Sequence, residues 1–96
     1  LDSTARQKLR ENAEVLRNCP NLSVRVEGFA APDEPTPLPL SRDRARAVAE
    51  FYEDNGIAPG RITTSGEGAV GDLGGKKGAD EQNRRTDSIP QRNGDL

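Results

Sequence analysis

Apolar residues recur along this chain with two periods, and the period changes at proline or glycine. Over residues 2–18 the helical rule holds: Ala5, Leu9, Ala13 and Leu16 share a face, Val15 widens it, and Arg6, Lys8, Arg10, Glu11 and Glu14 fill the rest. Asp2 or Ser3 is placed to cap the start, and Pro20 ends the helix. Leu22 to Glu27 alternates strictly and stops at Gly28, which predicts a half-buried strand with Leu22, Val24 and Val26 facing in. Four prolines (Pro32, Pro35, Pro37 and Pro39) then predict a stiff loop over 32–39 that is neither helix nor central strand. Ser41 is expected to cap a second helix over about 42–55, with Ala45, Val48, Ala49 and Tyr52 at helical spacing and Phe51 beside them. Gly56 is the expected left-handed stop, with Ile57 packing back after it.

Pro59-Gly60 turns the chain into a second strand, 61–65, closed by Gly66-Glu67-Gly68. A glycine-rich loop over 68–78, a short helical turn near 79–83 and a weak last strand over 84–89 complete the pattern. This order predicts an α/β sandwich of the βαβαβ type, with helices packed on one face of a small mixed sheet. The strands at 22–27 and 61–65 are connected through a helix, so a parallel, right-handed crossover is expected. Residues 1–89 read as one domain and 90–96 as a flexible tail.

Composition changes this picture in a few places. Ninety-six residues with 31% hydrophobic and 3% aromatic content can build only a thin core. With 14 basic against 16 acidic residues there is no basic field for nucleic acid. Eleven arginines against three lysines leave local, forked recognition of carboxylates or phosphates open. The chain has no histidine, which removes imidazole catalysis and histidine metal sites, and its lone Cys19 has no internal disulfide partner. No apolar run nears the ~18 residues that span a bilayer, so direct membrane insertion is not expected. The abrupt start at Leu1 reads as a piece of a longer protein. The Gly71–Gly78 loop lacks the Gly-Lys-Ser/Thr of a phosphate cradle, and no metal-ligand spacing or cofactor motif is present.

Several short segments gain meaning together. They are Pro20-Asn21-Leu22 leading to Val24-Arg25-Val26-Glu27-Gly28; Leu40-Ser41-x-x-Arg44-Ala45-x-x-Val48; Gly56-Ile57 with Arg61; Gly66-x-Gly68; and Asn83-Arg84-Arg85. In that order they resemble the OmpA-like domain family over about residues 1–89. The strand that usually opens the family fold is missing here, which leaves an exposed sheet edge. The resemblance implies a non-catalytic, periplasmic module that binds peptidoglycan through the diaminopimelate of the stem peptide. It also implies attachment to the outer membrane through a part of the protein not shown here, and contacts with other envelope proteins.

The same resemblance assigns roles. Diaminopimelate presents one ammonium and one carboxylate. The family's arginine, here Arg44, takes the carboxylate, and is expected in the first turn of its helix where the helix end adds its pull. The family's aspartate takes the ammonium, but Gly28-Phe29-Ala30-Ala31 puts Ala31 at that position. Asp33 is the first substitute anion, with Glu34 beside it, provided the loop folds back. Asn83, Arg84 and Arg85 are expected near the cleft. Against these stands the plainer expectation that Arg44 is a helix arginine paired with a neighbouring carboxylate. The alternative function is an OmpA-like structural or protein-interaction domain that has lost peptidoglycan binding. An enzyme would have only acid pairs such as Asp33 with Glu34, which nothing positions.

Overall fold

The computed structural model describes residues 3–31, 33–69 and 86–92. Helix α1 spans Ser3–Asn18 and strand β1 Leu22–Gly28; helix α2 spans Pro37–Asp54; strands β2 and β3 span Ile62–Gly66 and Thr86–Arg92. The sheet order is β2-β1-β3, with β2 parallel and β3 antiparallel to β1. This is the expected mixed α/β sandwich, with two helices on a three-stranded sheet.

The core follows from the two periodicities. Leu9, Ala13 and Leu16 of α1 meet Val24 and Val26 of β1 and Ala45, Val48 and Tyr52 of α2. The intervening strand residue Arg25 is exposed and lies 3.7 Å from the Glu27 carboxylate. Val15 does not join this face: it is 52% exposed, being one position off the Leu9–Ala13–Leu16 stripe. The end of α2 follows expectation. Gly56 has φ +90°, its N–H donates to Glu53 O, the Ile57 N–H donates to Tyr52 O, and Ile57 is buried.

Two boundaries differ from the sequence reading. Helix α2 begins at Pro37, so the last prolines of the 32–39 segment lie in its first turn rather than in a loop. There a missing N–H costs no hydrogen bond and the fixed φ suits the helix. Ser41 is consequently not a cap. It is fully buried inside the helix, donating from Oγ to Leu38 O (2.7 Å) and accepting from the Gly68 N–H (2.9 Å). The cap position is Thr36, a β-branched residue held at φ 46°, ψ 64°. The last strand runs to Arg92, so Pro90 to Arg92 belong to the sheet and not to a tail. Pro90 is tolerated because β3 is an edge strand. The turn expected near 79–83 lies outside the described residues, as do positions 70–78 of the glycine-rich loop.

Two features hold the layers together. Gly28 pairs with Gly66 across β1 and β2. A Cβ on Gly28 would overlap the Ser41 carbonyl oxygen and come within 2.9 Å of Ala45 N; one on Gly66 would lie 2.7 Å from Arg42 N. Both glycines let α2 descend onto the sheet. On the other side, Arg61 ties the end of α1 to β1. Its Nη2 donates to Leu16 O (2.6 Å), Cys19 O (3.0 Å) and Leu22 O (2.6 Å), and its Nε donates to Leu22 O (2.9 Å). Of these, Leu16 O is a helix-end carbonyl whose partner four residues on would be Pro20, which has no N–H.

Gly28→Ala should destabilise the domain by about 3 kcal/mol, because the obstacle is backbone that cannot turn aside. Chemical denaturation with an unchanged m-value checks this; a loss under about 1 kcal/mol would show that α2 can shift. Arg61→Ala should cost about 2–3 kcal/mol, and Arg61→Lys should recover less than half of it, since a point ammonium cannot reproduce the fork.

Candidate functional site

The candidate site grows from the end of β1. Phe29, Ala30 and Ala31 leave the strand as a buried segment, 8%, 0% and 0% exposed. The Ala30 N–H donates to Gly68 O (3.0 Å) and the Glu67 N–H to Gly28 O (2.9 Å), so this segment stays beside the chain leaving β2. A turn over 33–36 then reverses toward α2, with the Glu34 N–H bonded to Ala31 O (3.0 Å).

The Glu34 side chain folds back under this turn. Its Oε1 accepts from the Ala31 N–H (2.7 Å) and from Arg44 Nη1 (2.9 Å), and its Oε2 accepts from Arg44 Nη2 (2.7 Å). Arg44 Nη1 also donates to Phe29 O (2.9 Å). The guanidinium therefore meets the carboxylate with two parallel hydrogen bonds, and a backbone N–H completes the grip. The two side chains are 26% and 15% exposed. The hydrogen bond to Glu34 raises the Arg44 pKa above its already high ordinary value; burial works against this, and the opposite charge of Glu34 adds to it. Chemically, three donors converge on one carboxylate.

The expected site residues fall out unevenly. Arg44 lies on α2 with its guanidinium on a carboxylate, that of Glu34. Because α2 starts at Pro37, however, Arg44 is not in the first turn, and the helix-end field it was expected to share does not reach it. The plainer expectation of a neighbouring carboxylate is also met, by Glu34. Asp33 is exposed and has no side-chain hydrogen bond or ion pair among the described residues, so Glu34 and not Asp33 faces Arg44. Ala31 contributes its backbone N–H and a buried methyl group. Asn83, Arg84 and Arg85 lie outside the described residues. Arg42 and Arg46 are exposed, on helix faces other than the one that carries Arg44.

A sequence signal for Glu34 existed. A glutamate three residues after a backbone N–H reaches back to it in the same way as the glutamate of a helix capping box, and Ala31 to Glu34 has that spacing. Open grooves lie elsewhere. One of about 420 Å³ runs between α1 and β3 beside Leu9, Asn12 and Asp87; another of about 360 Å³ is lined by Arg42, Arg46, Thr64 and Ser65. Arg44 and Glu34 line neither of them. Among the described residues no cluster of acidic or cysteine side chains could hold a metal ion, and no helix is long and apolar enough to cross a membrane.

Comparison with known proteins places this geometry. The sequence model of the OmpA family matches residues 1–86. No curated protein matches the chain. Among solved structures, the peptidoglycan-associated lipoprotein of Burkholderia pseudomallei superposes with a TM-score of 0.86 at 22% identity, covering 95% of this chain and 80% of that one. The C-terminal domain of Helicobacter pylori MotB gives 0.85 at 15% identity, covering 97% and 77%. The OmpA-like domain of FopA1 from Francisella tularensis gives 0.80 at 25% identity, covering 96% and 64%. These likenesses establish the fold.

The ion pair yields a stability prediction. Glu34→Ala should lower stability by about 1–2 kcal/mol, above a surface pair but below a fully buried one. The raised Arg44 pKa makes its contribution fully present below the ordinary arginine range and lost only as pH rises through the still higher folded value. The difference between wild type and variant should therefore be the same at about pH 7 and about pH 10, read by thermal denaturation. A difference that shrinks by half at the higher pH would contradict this.

Proposed function

This chain belongs to the OmpA family, and we propose that it is a non-catalytic cell-envelope module that binds peptidoglycan through the diaminopimelate of the stem peptide. The observation that carries this reading is the carboxylate receptor at Arg44: a forked guanidinium and the Ala31 N–H directed at one pair of oxygens. A diaminopimelate carboxylate has the same two oxygens as the one already held. Its ammonium would meet Asp33 on the exposed turn, since Ala31 offers no charge. Asn83 and Arg84 would complete the cleft from the chain that precedes β3. The fold shared with a lipoprotein named for its association with peptidoglycan supports the same assignment, as does a sequence without histidine. The setting is periplasmic, with attachment to the outer membrane through a part of the protein outside these residues.

A second reading is favoured by one specific observation. Ala31 replaces the family's aspartate and Arg44 is already occupied, which also suits a domain kept for its fold and its contacts with other envelope proteins. The two readings separate in one experiment. A diaminopimelate-containing muropeptide titrated into the labelled domain should shift amides at 28–45 saturably. Arg44→Ala should weaken that binding at least about tenfold, the loss of one charge-assisted pair, with the domain still folded. Unchanged affinity in Arg44→Ala would remove Arg44 from the site; no shifts for wild type at about millimolar ligand, a free energy of only about 4 kcal/mol, would favour the second reading.

A further inference from the structure

We propose that Glu34 is a tethered competitor for the Arg44 receptor, so that a ligand carboxylate enters only by exchanging with it. The proposal rests on the reading of Arg44 as a carboxylate receptor. Three observations carry it. First, Glu34 takes Arg44 Nη1 and Nη2 and the Ala31 N–H, three donors directed at one point among the described residues, with one carboxylate. A ligand carboxylate on Arg44 would need the same donors at the same distances. Second, Glu34 sits on an exposed turn while the donors sit on fixed elements. Asp33, Pro35 and Thr36 are exposed, whereas Phe29 to Ala31 are buried and Arg44 belongs to α2. The Glu34 side chain can swing out from this turn without disturbing the core. Third, the turn is braced: Thr36, between Pro35 and Pro37, holds a left-handed backbone at φ 46°. A stiff turn ten residues from Arg44 presents its carboxylate at high local concentration.

The consequence is selectivity. If the receptor is open in about 1–10% of molecules, ligand affinity falls about 10- to 100-fold below its intrinsic value. A ligand with a single carboxylate loses that contest. One that makes further contacts while displacing Glu34, as a cross-linked wall polymer does, can win it. Glu34 would thus exclude free amino acids and small carboxylates from a site built to hold a polymer.

The test uses the 96-residue chain, its Glu34→Ala and Glu34→Gln variants, and Arg44→Ala in each background. The probes are the diaminopimelate muropeptide and glutarate, which has carboxylates but no ammonium. Both should bind Glu34→Ala about 10- to 100-fold more tightly than wild type. Glu34→Gln, which keeps an oxygen for the Ala31 N–H, should move the same way by less, and it decides the matter if Glu34→Ala does not fold. Arg44→Ala should abolish the gain. If the muropeptide binds wild type through Arg44 but neither probe gains in the Glu34 variants, the competitor proposal is overturned and the peptidoglycan reading stands. A muropeptide that binds more weakly to both variants also overturns it, since Glu34 would then be receiving the ligand ammonium. If glutarate gains while the muropeptide binds none of the proteins, the competitor is real and the peptidoglycan reading fails.

Discussion

The close approach of α2 to two paired glycines sets the rest of this structure. Gly28 and Gly66 face each other across the parallel pair, and the Ser41 carbonyl sits where a Cβ on Gly28 would be. Only at this separation does the Ser41 hydroxyl reach the Gly68 N–H and join the helix to the chain leaving β2. From Ser41 the helix rises about 1.5 Å per residue. One turn on, Arg44 arrives over the Phe29 carbonyl and the Ala31 N–H. The receptor is thus placed by backbone contact at residues that have no side chain to spare.

A core this small needs polar ties whose partners are fixed. Tyr52 shows the pattern: its ring is fully buried, its hydroxyl donates to Ser88 Oγ at 2.7 Å and accepts from Asn12 Nδ2 at 3.2 Å. One oxygen thereby joins α1, α2 and β3. Arg61 does the same for α1 and β1 through carbonyls alone. Among the described residues no buried side-chain nitrogen or oxygen lacks a partner. Leaving any one unmatched would cost about 1–3 kcal/mol, a large part of what a domain of this size has to spare.

How much of this was legible in the sequence depends on the range of the force that decides it. The two helices, both leading strands and the Gly56 stop follow from side-chain period and local backbone preference, and the chain's own residues declare them. Helix α2's early start was hidden because a proline cluster reads as loop, yet the first helical turn is the one place where a missing N–H is harmless. Ser41 reads as a cap by residue type and is instead a buried link, because its partner, Gly68, is 27 residues away. At the site, the position of Arg44 could be read from its motif and the Ala31-to-Glu34 spacing pointed to Glu34, but the preference for Glu34 over Asp33 depends on how the turn at Thr36 aims two adjacent carboxylates.

On the proposed peptidoglycan reading, the replacement at Ala31 is a relocation of charge rather than its loss. Position 31 is fully buried three residues past β1, and its N–H shares the Glu34 carboxylate with Arg44, so a carboxylate carried at position 31 would be held by the strand end. It would remain beside the arginine while a ligand bound, free to serve the ligand's cation. The carboxylate now comes from position 34, on an exposed turn, and reaches the same arginine and the Ala31 backbone N–H. The resting charge balance is similar in the two arrangements. What differs is the attachment: an anion held by the strand end must share Arg44 with a ligand, whereas an anion held by a turn can leave it. On the competitor proposal, the Pro35-Thr36-Pro37 turn is what holds Glu34 at Arg44, and a loop that looks like a simple spacer becomes the element on which affinity would depend.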